Sequence, residues 1–267
     1  MIRRALGLAR SLVVYWRPGR QPALRKMYTP FVDPGDLVFD VGAHLGDRTA
    51  AFAALGARVV ALEPQPHLFR WLRLLVGRRP GVTLRPEAAG EEEGTAILAM
   101  SDANPTVSTL ADGWRMRVPT ENRSFQNVRW ERNLEVPVTT LDRLIEEHGV
   151  PRFCKIDVEG HEAEVLAGLS RAIDGLSVEF VAGGLDVARA CVDRLERLGS
   201  YRYNVIVGEG RRFVFPVWIR SDTVRTWLGD GAGGVSSGDL YARLERPGER
   251  NTDTHPDPPP RENPDGW

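Results

Sequence analysis

The chain has 267 residues, 42% of them hydrophobic, enough to bury one good-sized core with small additions. A formal net charge of −1 excludes a global field that would draw the molecule to nucleic acid or another polyanion. Cys154 falls in an apolar run and Cys191 in a helical one, which excludes a disulfide framework or zinc spacing and agrees with a reducing cytoplasm.

Residues 1–21 read as a basic N-terminal arm, with Arg3, Arg4, Arg10, Arg17 and Arg20 and no acid. The plain reading is a solvated arm; peripheral contact with an anionic membrane surface or a partner is the alternative. Segment 5–15 is too short, and too interrupted by Arg10, to span a bilayer, and it lacks a small-residue cleavage site. The folded domain is expected over 22–245, beginning with a short helix at about 22–32 before the turn Pro34-Gly35.

Val38-Phe39-Asp40-Val41-Gly42-Ala43-His44-Leu45-Gly46 follows. A strand ending in an acid runs into a glycine turn and a helix at 46–55, and a second strand, 58–63, ends in Glu63. This is a βαβ nucleotide-binding unit in which the second acid is placed to hold a ribose diol. Gly42 is expected to let backbone approach the ligand where a Cβ would clash. Asp40 stands where the dinucleotide fingerprint has its first glycine, and an acid there suits a cationic head group rather than a pyrophosphate. S-adenosylmethionine satisfies the acid, the turn and the ribose hook together.

Helix 66–78 places Leu68, Leu72, Leu75 and Val76 on one face, and strand 82–86 leads to Glu87-Ala88. Strand 94–100 comes next. Periodicity then fails over 101–134, where Trp114, Phe125 and Trp130 sit among arginines; this segment is a candidate lid insertion, or a loop whose aromatics pack on the body. Strand 135–139, helix 140–148, strand 152–157, helix 161–168, strand 176–181 and helix 185–198 continue the alternation. Apolar runs 202–207 and 212–218, joined by Gly208-Glu209-Gly210-Arg211, read as a hairpin. The pattern predicts an open α/β sheet, mostly parallel, with an antiparallel C-terminal hairpin. Residues 246–267 hold six prolines and are expected to be a disordered tail.

A second motif, Lys155-Ile156-Asp157-Val158-Glu159-Gly160-His161-Glu162, delivers acids to a strand's carboxyl end, beside Asp40 and Glu63. Of the basic residues only Lys26 and Lys155 are lysine, so Lys155 is not background; it is expected to pair with an acid across the sheet. Asp157 and Glu159 suit magnesium, but no third ligand is visible and no metal is expected.

With Val60-Ala61-Leu62-Glu63-Pro64-Gln65-Pro66 and Val138-Thr139-Thr140-Leu141-Asp142, these motifs make residues 36–182 resemble the FkbM-type methyltransferase family. The K-I-D-V-E-G-x-E run is the family-specific part. The resemblance implies a Rossmann-like seven-stranded methyltransferase fold, S-adenosylmethionine as donor, and O-methylation of a sugar or secondary metabolite. On that basis Asp40, Gly42, His44 and Gly46 are expected at the methionine end of the donor, Glu63 at the ribose, and Glu87 and Ala88 at the adenine. His161, Glu159 and Asp157 are the candidate catalytic groups, with the base role open between His161 and Glu159. The rival readings are a non-catalytic nucleoside-binding or assembly protein on the same fold, and a nicotinamide-dependent oxidoreductase.

Overall fold

Strand β1 (Leu37–Val41) is buried at every position, which is why its sequence is an apolar run rather than an alternation. It occupies the middle of the fold in the computed structural model, which describes residues 2–246. Strands β2 (Arg58–Leu62) and β3 (Val82–Arg85) lie outward on one side of it. On the other side come β7 (Phe153–Ile156), β8 (Gly175–Val181), β10 (Ser237–Leu244) and β9 (Tyr201–Val207). β10 is antiparallel to both of its neighbours, and the β1, β2, β3, β7 and β8 pairings are parallel. The chain runs outward from β1 through β3 and returns on the opposite side at β7. The switch point of the sheet, where open α/β folds bind ligands, therefore lies between the tips of β1 and β7.

Helices pack on the two faces. α3 (Asp47–Ala54) follows β1, α4 (Pro66–Val76) follows β2, and α7 (Glu162–Ala167) and α8 (Leu185–Leu198) follow β7 and β8. Phe39 and Val41 face a core with Ile156, Val178 and Leu166; Val38 faces a second core with Phe52, Val59 and Phe153. Cys154 and Cys191 are buried free thiols. No helix among the described residues is long and apolar enough to cross a membrane.

Four expectations are corrected. The antiparallel pair at the C-terminal end is formed by β9 with 237–244, not with 212–218. Pro216 lacks an amide hydrogen for a ladder, and the 213–219 loop instead covers the outer edge of β9 through Val214 N to Val205 O (2.8 Å) and Asn204 Nδ2 to Phe215 O (3.0 Å). The strands expected at 94–100 and 135–139 leave the main sheet; β5 (Gly94–Met100), β6 (Arg132–Thr139) and β4 (Ala88–Ala89) form a three-stranded sheet of their own. Within 101–134 there is a helix, α5 (Asp112–Glu121), whose Trp114 is buried with Phe125, Val128 and Val181. The arm forms helix α1 (Ile2–Tyr15), and α2 (Arg20–Tyr28) follows. Arg20 is not a solvated charge: only 4% exposed, it donates from Nε to Asp47 Oδ2 at 2.6 Å and from Nη1 to Glu209 at 2.9 Å. The tail expected at 246–267 lies, beyond Arg246, outside the described residues.

Candidate active site

Parallel register brings the site together. Val41 pairs with Leu62 on one side and Ile156 on the other, so the next residue of each strand, Gly42, Glu63 and Asp157, stands at one level at the strand tips. They border a cavity of about 1170 Å³ of empty space, mouth included. Asp40, His44, Glu87, Ala88, Glu159 and His161 line it too. Nine of the ten expected site residues thus meet at one cavity.

Gly46 is the tenth, and it does not line the cavity. It opens α3 at φ 77°, and a Cβ there would come 2.5 Å from Leu72 Cδ1. It is a packing glycine between α3 and α4. Gly42 is at the cavity, for a different reason from the one expected: a Cβ would strike the Asp157 carbonyl oxygen at 1.9 Å. The glycine lets two strand ends meet, and the φ of 80° turns the chain between them.

Asp40 is fully buried. Its Oδ2 accepts a 2.5 Å hydrogen bond from Thr49 Oγ1, while Oδ1 is buried with no partner. Burial raises its carboxyl above the ordinary range, against the pull of Lys155 and Thr49. Glu63 holds the turn itself: Oε2 accepts from His44 N (3.0 Å) and Oε1 from Gln65 N (2.8 Å). Burial pushes it up to about 8, the two backbone donors opposing the rise. Each oxygen keeps a lone pair for a further donor. Burial lowers His44 to about 4, so its ring is neutral; it packs edge-on to Tyr15, centroids 5.0 Å apart, with Nε2 buried and unpartnered. Glu87 is held at the rim by Arg85 Nε at 2.9 Å.

Across the cavity Lys155, expected to pair across the sheet, reaches along its own strand and donates to Asp157 Oδ2 at 2.7 Å. Burial would raise Asp157, but Lys155 and Arg48 hold it down at about 2. Glu159 and Glu179 go the other way: burial and the charge of Asp157 raise both well above the usual carboxylate range. The turn between β7 and α7 has its own clamp. The buried Glu162 carboxylate accepts from Val158 N (3.0 Å) and Gly160 N (3.1 Å), and Thr109 Oγ1 donates to the Glu159 carbonyl at 2.6 Å. His161 caps α7 with its side chain 18% exposed and Nδ1 3.6 Å from Glu164 Oε2. Burial lowers its pKa, so near neutrality it is an unprotonated acceptor.

Residues that sequence reasoning missed complete the walls. Tyr15 comes from α1, Arg48 from α3, Glu179 from β8, Asp239 from β10, and Thr106, Ser108 and Leu110 from the aperiodic segment. Ser108 Oγ is 3.1 Å from Gln65 Oε1, which ties that segment to the β2 turn. Glu179 and Asp239 sit mid-strand among apolar neighbours, where a lone acid in a buried run was the available signal. The lining has many more acids than the cations Arg48 and Lys155, a field that favours a positively charged ligand.

The family model for the methyltransferase FkbM domain matches residues 40–182. Hexuronic acid methyltransferase AglP of Haloferax volcanii is 30% identical over 165 residues, and the match spans 61% of this chain and 61% of that protein's length. Among solved structures, precorrin-6y C5,15-methyltransferase of Geobacter metallireducens GS-15 is similar at a TM-score of 0.44 and 13% identity, over 85% of this chain and 88% of that one. Aeropyrum pernix fibrillarin, solved with natively bound S-adenosyl-L-methionine, is similar at a TM-score of 0.41 and 14% identity, over 83% and 73% of the two chains.

Proposed function

The chain belongs to the FkbM methyltransferase family, and from that premise we propose that it is an S-adenosylmethionine-dependent O-methyltransferase acting on a hydroxyl of a small, sugar-like acceptor. The observation that carries this reading is the convergence of Asp40 and Glu63 on one cavity, the first with a buried, unpartnered oxygen turned to no protein group. Such an orphaned acceptor in an acidic enclosure fits the cationic amino-acid end of the donor. Asp40, His44 and the backbone at Gly42 would hold that end, the Glu63 carboxylate the ribose diol, and Glu87 with Ala88 the region of the adenine. When bound, the donor supplies a methyl group on a positively charged sulfur.

The protein's own work is alignment, exclusion of water and removal of one proton. Thr106, Ser108 and Leu110 close the cavity from the segment after β5. His161 is assigned as the general base: it lines the cavity, it is neutral near pH 7, and Glu164 lies where it would stabilise the imidazolium that forms. Glu159 is given a supporting place instead: burial and its acidic neighbours raise its carboxyl well above the usual range. The Haloferax volcanii relative, named for a hexuronic acid, supports a sugar acceptor.

The test is transfer of tritium from methyl-labelled donor to a panel of free, nucleotide-linked and glycan-bound sugars, with and without a carboxylate. Label that survives mild alkali marks an ether on a hydroxyl and supports the reading. Alkali-labile label places the methyl on a carboxylate and contradicts it. Donor binding with no transfer to any sugar or cell extract favours a non-catalytic pocket instead.

A further inference from the structure

We propose that Asp157, Glu159 and Glu179 form a site for one hard divalent cation, of the magnesium or calcium class, at the floor of the cavity. One carboxylate oxygen from each lies within 4.8 Å of the others. That span is about twice a calcium–oxygen distance of roughly 2.4 Å, so ligands even on opposite sides of one ion are within reach. The juxtaposition follows from register: Ile156 pairs with Val178, which sets Asp157, just past the end of β7, beside Glu179 within β8, and the turn after β7 brings in Glu159.

A second observation points to a ligand. The Glu159 side chain is buried, and its Oε2 has no hydrogen-bond partner. A carboxylate oxygen shut away from water without a donor is costly, and a cation offers the contact that is missing. The backbone that carries Glu159 is fixed, because Glu162 grips the amides on either side of it and Thr109 grips its carbonyl. Charge agrees in direction: three acids crowd together with one ammonium, Lys155, which sits on Asp157, and a bound cation would relieve that crowding. Arg48 also acts on Asp157, but its ion pairs are with Asp47 and Asp239, each at 3.9 Å. All three carboxylates border the cavity, so an open coordination position would face an acceptor oxygen. The site goes beyond the methyl-transfer reading; its use in orienting and acidifying the acceptor hydroxyl rests on that reading.

The experiment is titration of the full chain with Mn2+, following the free-ion electron spin resonance signal, with donor calorimetry on the same preparation. The expected result is one Mn2+ per chain, displaced by Mg2+ or Ca2+, and at least tenfold weaker binding in both Glu159→Gln and Glu179→Gln. Cooperative thermal melting qualifies each variant, and Asp157→Asn replaces one that fails. No Mn2+ bound by the wild type at millimolar concentration, or variants that bind it as the wild type does, overturns the site. Donor binding without Mn2+ removes the site and leaves the methyl-transfer reading; Mn2+ binding without the donor does the reverse.

Discussion

The indole of Trp114 lies against Gly160 so closely that a Cβ there would stand 2.3 Å from its Cγ. Gly184 carries the same ring from another side, a Cβ there coming 2.8 Å from Nε1. The segment with no readable period is thereby fastened to the turn that holds Glu159.

Gly160→Ala is the substitution that loosens this fastening. Its φ of 91° disfavours any side chain, and the new methyl overlaps the indole. The expected cost is roughly 1–3 kcal/mol, read as a lower urea midpoint, together with reduced turnover. An unchanged midpoint would mean that Trp114 moves aside freely.

Thr49→Val tests the other carboxylate. It keeps the shape of the side chain and removes the donor to Asp40 Oδ2, leaving both oxygens of a buried acid unpartnered in the free protein. Donor affinity is expected to fall by roughly five- to 150-fold, the equivalent of about 1–3 kcal/mol for such a loss, while turnover at saturation changes little. Calorimetry and saturation kinetics on the same variant separate the two.

Donor affinity should depend on pH through Glu63. In the empty cavity its carboxyl is raised to about 8 from an ordinary 4.5, so at pH 7 it carries a proton. The ribose hydroxyls and the positive donor favour the ionised form, so binding expels that proton. Affinity therefore rises as pH climbs toward about 8, by at most about tenfold per unit for one proton, and levels off above it. Dissociation constants measured from pH 6 to 9 should show this slope in the wild type and lose it in Glu63→Gln.

His161→Ala should lower turnover by roughly 10²–10⁴, the usual worth of a positioned base, with the donor dissociation constant nearly unchanged. Glu164→Gln should lower it less, because Glu164 acts through the imidazole at 3.6 Å. Normal turnover in His161→Ala would return the proton to another group.

Much of the fold was legible because the parallel strands are short apolar runs closed by glycine turns, and because α4, α6 (Leu141–His148) and α8 show clear helical spacing. β10 escaped notice because Gly238 and Asp239 interrupt it, yet both are buried there: Asp239 faces the cavity, and Phe180 fills the space a Cβ on Gly238 would take. The cavity acids at the strand tips were readable because register fixes the level of those tips. Gly46 was misread because a glycine turn looks the same whether the missing Cβ makes room for a ligand or for Leu72. Tyr15 and Ser108 arrive from elements distant in sequence from the glycine turn, and no local spacing announces such a meeting.

Titration calorimetry of S-adenosylmethionine into the wild type and Glu63→Ala is the most direct check on the paired strand-tip acids. The account predicts saturable one-to-one binding that weakens far more than tenfold in the variant. Equal affinities, or no heat from the wild type, would contradict it.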